Sequence, residues 1–383
     1  MLTRKRPLRV LSVFGTRPEA IKMAPIVRAL VGAADRFESM VCLSAQHRQM
    51  LDQIIRAFDL KVDFDLDLMR PGQSPCDVAS GVLAAVPRVF AEARPDIVIV
   101  QGDTTTTAAT SMAAFMCGIP VAHVEAGLRT DDIRQPFPEE MNRRLATLVT
   151  TLHFPPTTRA RDALLREGVP AANITVTGNT VIDALLSRLR ADYRFDAAEL
   201  AKLGGKGRER MILVTLHRRE SFGEPMRAVC TALKTVAARH PDLQFVLPVH
   251  PNPRVKEVVE PELGGHPQFV LTQPLEYLDF IHVMARAYLI VTDSGGVQEE
   301  APALDRPVLV TREVTERPEG VEAGAAMLVG TDAGRIVEGV DRLLSDPAAY
   351  ARMAAAPNPY GDGHASERIL EALDDWANTC VFS

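Results

Sequence analysis

Ile97-Val-Ile-Val-Gln-Gly-Asp103-Thr104 carries four apolar residues into a glycine turn and an Asp-hydroxyl pair, and Leu289-Ile-Val-Thr-Asp293-Ser294 repeats that order in the second half of the chain. A short apolar run without interior charge reads as a strand buried on both faces, and the Asp-hydroxyl turn after it as a helix start. In each half the helix that follows ends before a second apolar run introduced by proline, Ile119-Pro120-Val121 in one and Arg306-Pro307-Val308 in the other. One unit thus occurs twice, which favours two similar doubly wound domains over one large sheet.

Outward from this pair, Leu8 to Phe14, Val121 to Val124, Met211 to Thr215 and Phe245 to Leu247 read as further strands. Between them Met226, Val229, Leu233 and Val236 fall at helical spacing, as do Leu278, Ile281 and Ala285, so these segments each bury one face. The expected fold is α/β, with two Rossmann-like doubly wound domains. Gly178-Asn-Thr opens a helix, and a charged stretch closing in Gly204-Gly-Lys-Gly207 precedes the next strand, so the domains are expected at residues 1–177 and 178–363. Ligands of open α/β sheets sit beyond the carboxyl ends of the strands, which makes a deep interdomain cleft the expected site.

Composition narrows the function classes. With 383 residues, 46% apolar and 24% charged, the chain is ordinary globular protein, not collagen, coiled coil or a disordered polymer. A net charge of −6 and no basic run interleaved with aromatics argue against nucleic acid as a partner. No window approaches the ~18 continuous apolar residues that a membrane helix needs. The five cysteines, Cys42, Cys76, Cys117, Cys230 and Cys380, form no C-x-x-C pair and are odd in number. Neither a disulfide framework nor a zinc site is expected, and a cytoplasmic location fits.

The residues that carry chemistry stand at strand ends. In Gly15-Thr-Arg-Pro-Glu19, backbone donors and Arg17 could hold a phosphate, with Lys22 adding positive charge one turn on; a capped helix with exposed basic residues explains the same string. Gly102-Asp-Thr-Thr-Thr-Thr107 places Asp103 at the sheet edge, with more hydroxyls than one N-cap uses. His123-Val-Glu-Ala-Gly-Leu-Arg129 puts Glu125 at the next strand end, and Pro136-Phe-Pro-Glu-Glu140 starts a helix with Glu139. Asp103, Glu125 and Glu139 therefore converge on one edge, where crowding of carboxylates raises at least one pKa and permits acid/base work. Glu140 is read as a complement to the helix dipole.

In the second half, Thr215-Leu-His217-Arg-Arg-Glu220 ends a strand, and Asp293-Ser-Gly-Gly-Val-Gln-Glu-Glu300 offers Ser294, Gly295 and Gly296 at a helix start as a diphosphate seat. Glu300 is suited to ribose hydroxyls, and Arg317 in Thr315-Glu-Arg-Pro-Glu319 to phosphates or nucleoside. His250, in Pro248-Val-His-Pro-Asn252, reads equally as a structural histidine. No G-x-G-x-x-G, G-x-x-x-x-G-K-[ST] or H-E-x-x-H string occurs, so no dinucleotide, no metal and no other cofactor is expected.

Taken in order with Gln46-His47, Pro138-Glu-Glu140, Gly178-Asn-Thr180, His217-Arg-Arg-Glu-Ser221 and Asn358-Pro-Tyr-Gly361, these motifs closely resemble the non-hydrolysing UDP-N-acetylglucosamine 2-epimerases over nearly the whole chain. The resemblance implies a glycosyltransferase-B-like domain pair, a C-terminal helix at about 364–383 returning to the first domain, and a homodimer. It also implies that Arg17, Lys22, Asp103, Glu125 and His217 surround the sugar and diphosphate, and that Phe280, Ser294, Gly295, Gly296, Glu300 and Arg317 hold UDP. Asp103, Glu125 and Glu139 would be the acid/base carboxylates, and His217 would assist departure of the diphosphate. A second, activating UDP-N-acetylglucosamine would engage Gln46, Gln49, Arg218 and His250. The implied reaction is epimerisation at C2 by elimination of UDP to 2-acetamidoglucal and re-addition. A UDP-sugar glycosyltransferase of the same two-domain plan and a catalytically silent nucleotide-sugar sensor are the alternatives.

Overall fold

The computed structural model describes residues 6–44, 48–68, 70, 72–130, 132–203 and 210–379, of which 48–50, 201 and 202 by backbone alone. It divides into two compact units, Met1–Ser187 with Tyr360–Ser383, and Arg188–Pro359.

The first unit is built on a parallel sheet of β1 (Leu8–Phe14), β2 (Phe37–Leu43), β3 (Phe64–Asp65), β4 (Ile97–Gln101), β5 (Val121–Val124) and β6 (Leu152–Phe154) in the order β3-β2-β1-β4-β5-β6. The second repeats the plan with β7 (Arg210–Thr215), β8 (Leu243–Pro248), β9 (Phe269–Thr272), β10 (Leu289–Thr292), β11 (Val308–Val310) and β12 (Ala326–Leu328), in the order β12-β11-β10-β7-β8-β9. Counted from the first strand of each unit, the two orders are the same. The two stretches that suggested a repeat, β4 and β10, are each the fourth strand of their sheet and pair with the first, Val10 with Ile97 and Ile212 with Leu289. They therefore flank the point where strand order reverses, the place at which open α/β sheets bind ligands.

Helices cover both sheets. In the first unit Leu11, Val13, Val98 and Val100 pack against Val82, Val86 and Phe90 of the helix Pro75–Ala93. In the second, Met226, Val229, Leu233 and Val236, the positions picked out by helical spacing, are all fully buried on the helix Glu224–Arg239. Each such aliphatic side chain contributes roughly 2 kcal/mol by leaving water. Leu278, Ile281 and Ala285 lie on the helix Tyr277–Arg286, with Ile281 buried completely.

Sequence patterning did not mark β2, β3, β6, β9 or β12. β2 carries Glu38 and Ser39 within its run, and the others have four residues or fewer, too short for a periodicity to show. The unit boundaries fall at Ser187/Arg188 and Pro359/Tyr360, so residues 178–187 and 360–363 go with the first unit. The cause is local. Asn179 N donates to Tyr360 O at 2.6 Å, and Asp183 accepts from Ala365 N and Ser366 N at 3.2 and 2.7 Å, capping the helix Ala365–Thr379 that packs on the helix Arg17–Gly32. A Cβ on Gly178 would stand 3.1 Å from Gly361 Cα, at a φ of +89°, so this crossing requires glycine.

Candidate active site

At the carboxyl end of β1, the buried Glu19 organises the turn. Its Oε2 accepts from Gly15 N at 3.1 Å and Thr16 N at 2.7 Å, and its Oε1 from the hydroxyls of Thr104 and Thr107 at 2.8 and 3.3 Å. Burial raises its pKa, against the opposing effect of these hydrogen bonds. Two of the backbone donors expected to face a phosphate are thus occupied by a carboxylate, while Arg17 at the same turn is partly buried. A Cβ at Gly15 would lie 1.9 Å from Ser44 Oγ, so any larger residue must displace the Ser44 hydroxyl from Thr106. The threonine run is structural as well: Thr104 caps the helix Thr105–Met116 through Thr107 N, Thr106 meets Ser44 Oγ at 2.9 Å, and Thr107 donates to Gln101 O at 2.7 Å.

Beyond β4 and β5 stand two carboxylate-cation pairs. Glu125, at a left-handed φ of +62°, is held by Lys22 Nζ at 2.6 and 2.7 Å, by Gln101 Nε2 and by Asn179 Nδ2 at 3.3 Å. A non-glycine residue in that conformation costs of order 1 kcal/mol and marks a site worth explaining. Asp103, about one-third exposed, meets Arg143 Nη2 at 2.5 Å, while Asn142 Nδ2 donates to its carbonyl at 3.0 Å. Arg143 and Asn142 lie on the helix Glu139–Val149, and Glu139, one turn before Arg143, shares its face. Glu139 is half-buried, with no side-chain hydrogen bond or ion pair among the described residues. Glu140 does more than complement a dipole. Fully buried, it pairs with Arg144 at 2.7 Å and Arg143 at 3.3 Å and accepts Thr130 N at 3.1 Å.

Between these carboxylates His123 is fully buried, and burial first of all drives its pKa down to about 4. Because a carbonyl only accepts, the Nε2 that lies 2.7 Å from Gly102 O carries the proton and holds the Gly102–Asp103 turn.

In the second unit the corresponding turns hold a histidine-carboxylate pair. Asp293, wholly buried after β10, accepts His217 N and Arg218 N at 2.8 and 2.9 Å through Oδ2, and His217 Nδ1 lies 2.9 Å from Oδ1. Burial alone would raise the Asp293 pKa; the hydrogen bond and charge of His217, with the two N–H donors, outweigh it and hold the pKa below the usual range. The exposed His250 stacks on His217 with centroids 5.8 Å apart and takes Asn252 N at 3.2 Å on Nδ1. Arg218 extends over Gly295, where a Cβ would come within 3.5 Å of its Nη2.

Ser294 precedes the short helix Gly295–Glu300, its N–H on Thr292 Oγ1 at 2.9 Å, with Gly296 exposed and Glu300 nearly buried. Arg317 is anchored by Glu299 through Nε, and Phe280 is half-buried on the helix Tyr277–Arg286. Gln46 lies outside the described residues, as does the side chain of Gln49.

Sequence reasoning missed Glu19, Gln101, Asn142, Arg143, Asn179 and Glu299. The Thr16-x-x-Glu19 spacing of a capping box and the helical spacing of Glu139 to Arg143 were available signals; Asn179 and Gln101 gave none.

The family model described as UDP-N-acetylglucosamine 2-epimerase matches residues 30–374. The UDP-N-acetylglucosamine 2-epimerase of Yersinia pestis is 52% identical over 371 residues, 96% of this chain and 98% of that one. That of Escherichia coli K12 is also 52% identical, over 380 residues with the same coverage. The crystal structure of UDP-GlcNAc 2-epimerase from Neisseria meningitidis bound to UDP-GlcNAc superposes with a TM-score of 0.85 at 42% identity, covering 96% of this chain and 99% of that one.

Proposed function

The chain belongs to the UDP-N-acetylglucosamine 2-epimerase family, and we propose that it is an isomerase that interconverts UDP-N-acetylglucosamine and UDP-N-acetylmannosamine. The observation that carries this reading is the pair of carboxylates at neighbouring strand ends, Asp103 held by Arg143, and Glu125 held by Lys22 and the Asn179 amide. The C2 proton of the sugar is not α to a carbonyl, so its removal needs either oxidation at C3, which the missing dinucleotide fingerprint disfavours, or loss of UDP from C1. A carboxylate takes that proton, the C2–H electron pair becomes the C1=C2 bond of 2-acetamidoglucal, and the C1–O pair leaves with UDP. In the return step the double bond takes a proton at C2 on its other face and a UDP oxygen bonds to C1.

Asp103, Glu125 and Glu139 are the proton-moving groups in this reading, and His217 eases departure of the diphosphate. Lys22 keeps a counter-charge on Glu125 while Arg17 faces the phosphates. Ser294, Gly295, Gly296, Arg317, Glu300 and Phe280 hold UDP. The reading extends to a homodimer and to a second, activating substrate molecule at Gln46, Gln49, Arg218 and His250, on the strength of the motifs. A cytoplasmic setting is supported by free thiols at Cys42, Cys76, Cys117 and Cys230. Among the described residues no helix is long and apolar enough to cross a membrane.

Proton NMR in D₂O tests the route. The expected product carries deuterium at C2, because the removed proton exchanges while the glycal waits; epimer formed with its C2 hydrogen wholly retained overturns elimination.

A further inference from the structure

We propose that Asp293 is a positioning residue for His217: it fixes the imidazole with its proton on Nδ1, so that Nε2 is the atom that meets the diphosphate. The inference rests on the reading that His217 assists diphosphate departure, but its geometry stands independently. β7 and β10 pair through Thr215 and Thr292, and Asp293 N donates to Thr215 O at 3.2 Å, so the carboxylate is set against the turn that follows β7. One oxygen then takes both backbone N–H groups of that turn, from His217 and Arg218, and the other faces Nδ1 at 2.9 Å.

Three constraints follow. An ionised carboxylate oxygen offers only lone pairs, so a ring nitrogen 2.9 Å from it is favoured in its protonated form, and the neutral imidazole is then the Nδ1–H form. The two backbone bonds hold the carboxylate itself, so re-aiming the ring gives up its contact with Oδ1. Finally, the imidazolium formed when Nε2 also carries a proton has a buried counter-charge at hand, which favours a positively charged donor facing a leaving diphosphate. Of the other charged groups near the ring, His250 stacks on it, its pKa lowered by burial and by His217 against the opposing charge of Asp293. Arg218 reaches instead toward Glu316, 3.9 Å from its Nη2. In the re-addition step Nε2 takes back the proton or hydrogen bond that it lent.

The first measurement needs no variant. In the full-length wild-type chain labelled with ¹⁵N-histidine, with His217→Gln supplying the assignment, the neutral His217 ring is expected to show its proton on Nδ1. A neutral form protonated on Nε2 overturns the proposal. The second uses Asp293→Asn, whose amide retains an oxygen for the backbone donors but presents N–H to Nδ1. The expected result is a switch of the neutral tautomer to Nε2–H, kcat reduced about 10²-fold or more, and KM changed within about threefold. Wild-type kcat in a folded Asp293→Asn enzyme overturns the proposal. The tautomer is read without turnover, so a chain that shows Nδ1–H but no epimerisation contradicts the proposed function and leaves this pairing standing.

Discussion

Lys22 Nζ lies 2.6 and 2.7 Å from the two carboxylate oxygens of Glu125, with the two side chains only 16% and 6% exposed. Breaking a buried ion pair by removing one partner leaves an uncompensated charge and costs on the order of 3 kcal/mol. Lys22→Met is therefore expected to lower stability by about that amount, with Gln101 and Asn179 absorbing part of the loss. Removing the second charge as well, in Lys22→Met/Glu125→Gln, is expected to restore some of it. Urea unfolding of the four proteins of this cycle measures the coupling; strictly additive losses contradict it.

The strand-end carboxylates and the nucleotide residues are expected to separate in kinetics. In the proposed mechanism Asp103→Asn, Glu125→Gln and Glu139→Gln each remove a proton-moving carboxylate, so kcat is expected to fall about 10²-fold or more with UDP affinity nearly unchanged. Arg317→Ala removes a charge-assisted contact and is expected to weaken UDP binding by about tenfold or more. Glu299→Gln is expected to do part of the same, since Glu299 anchors Arg317. Calorimetric titration with UDP beside steady-state rates separates the two classes, and wild-type rates in all three carboxylate variants would remove them from the mechanism.

Much of this arrangement was legible in the sequence because it rests on strand ends. The runs at β1, β4, β5, β7 and β10 are predominantly apolar, and the polar residues that follow β4, β5, β7 and β10 stand at the sheet edge, which placed Asp103 and Glu125 in one unit and His217 and Asp293 in the other. What escaped depends on contacts between segments distant in sequence. Arg143 meets Asp103 from a separate helix, and Asn179 reaches Glu125 across more than fifty residues of chain, pairings that local spacing does not reveal. The run of threonines misled in the other direction. Its hydroxyl surplus suggested ligand contacts, whereas Thr104, Thr106 and Thr107 bind Glu19, Ser44 and Gln101.

Glu19 yields a test that distinguishes an acceptor from a charge. Its carboxylate takes two backbone N–H groups and two hydroxyls, and burial already favours its neutral form. Glutamine keeps one oxygen for the N–H groups, and the threonine hydroxyls can reverse to accept from its amide, so Glu19→Gln is expected to cost within about 1 kcal/mol. Glu19→Ala leaves Gly15 N and Thr16 N buried without an acceptor, at about 3 kcal/mol or more. Equal losses in the two variants, read from thermal or urea unfolding, contradict the hydrogen-bond account.

His123 sets an acid limit on the fold. Its pKa falls from an ordinary 6.5 to about 4 in the folded chain, burial being the largest cause, and the Nε2 proton donated to Gly102 O belongs to the neutral ring. Between those two values the unfolded chain binds a proton at this residue that the folded chain does not. Stability therefore rises with pH across the window, is complete above about 6.5, and is lost progressively as pH falls toward about 4. The size of the loss is on the order of 3 kcal/mol for a shift of this extent. His153, driven down to about 3 by burial and by His123, extends the same trend further into acid. Urea unfolding at pH 7.5 and pH 5 is expected to show the difference, and His123→Gln, which cannot protonate but can still donate to Gly102 O, is expected to flatten it. A variant whose stability falls between these two pH values as steeply as that of the wild type would place the acid sensitivity elsewhere.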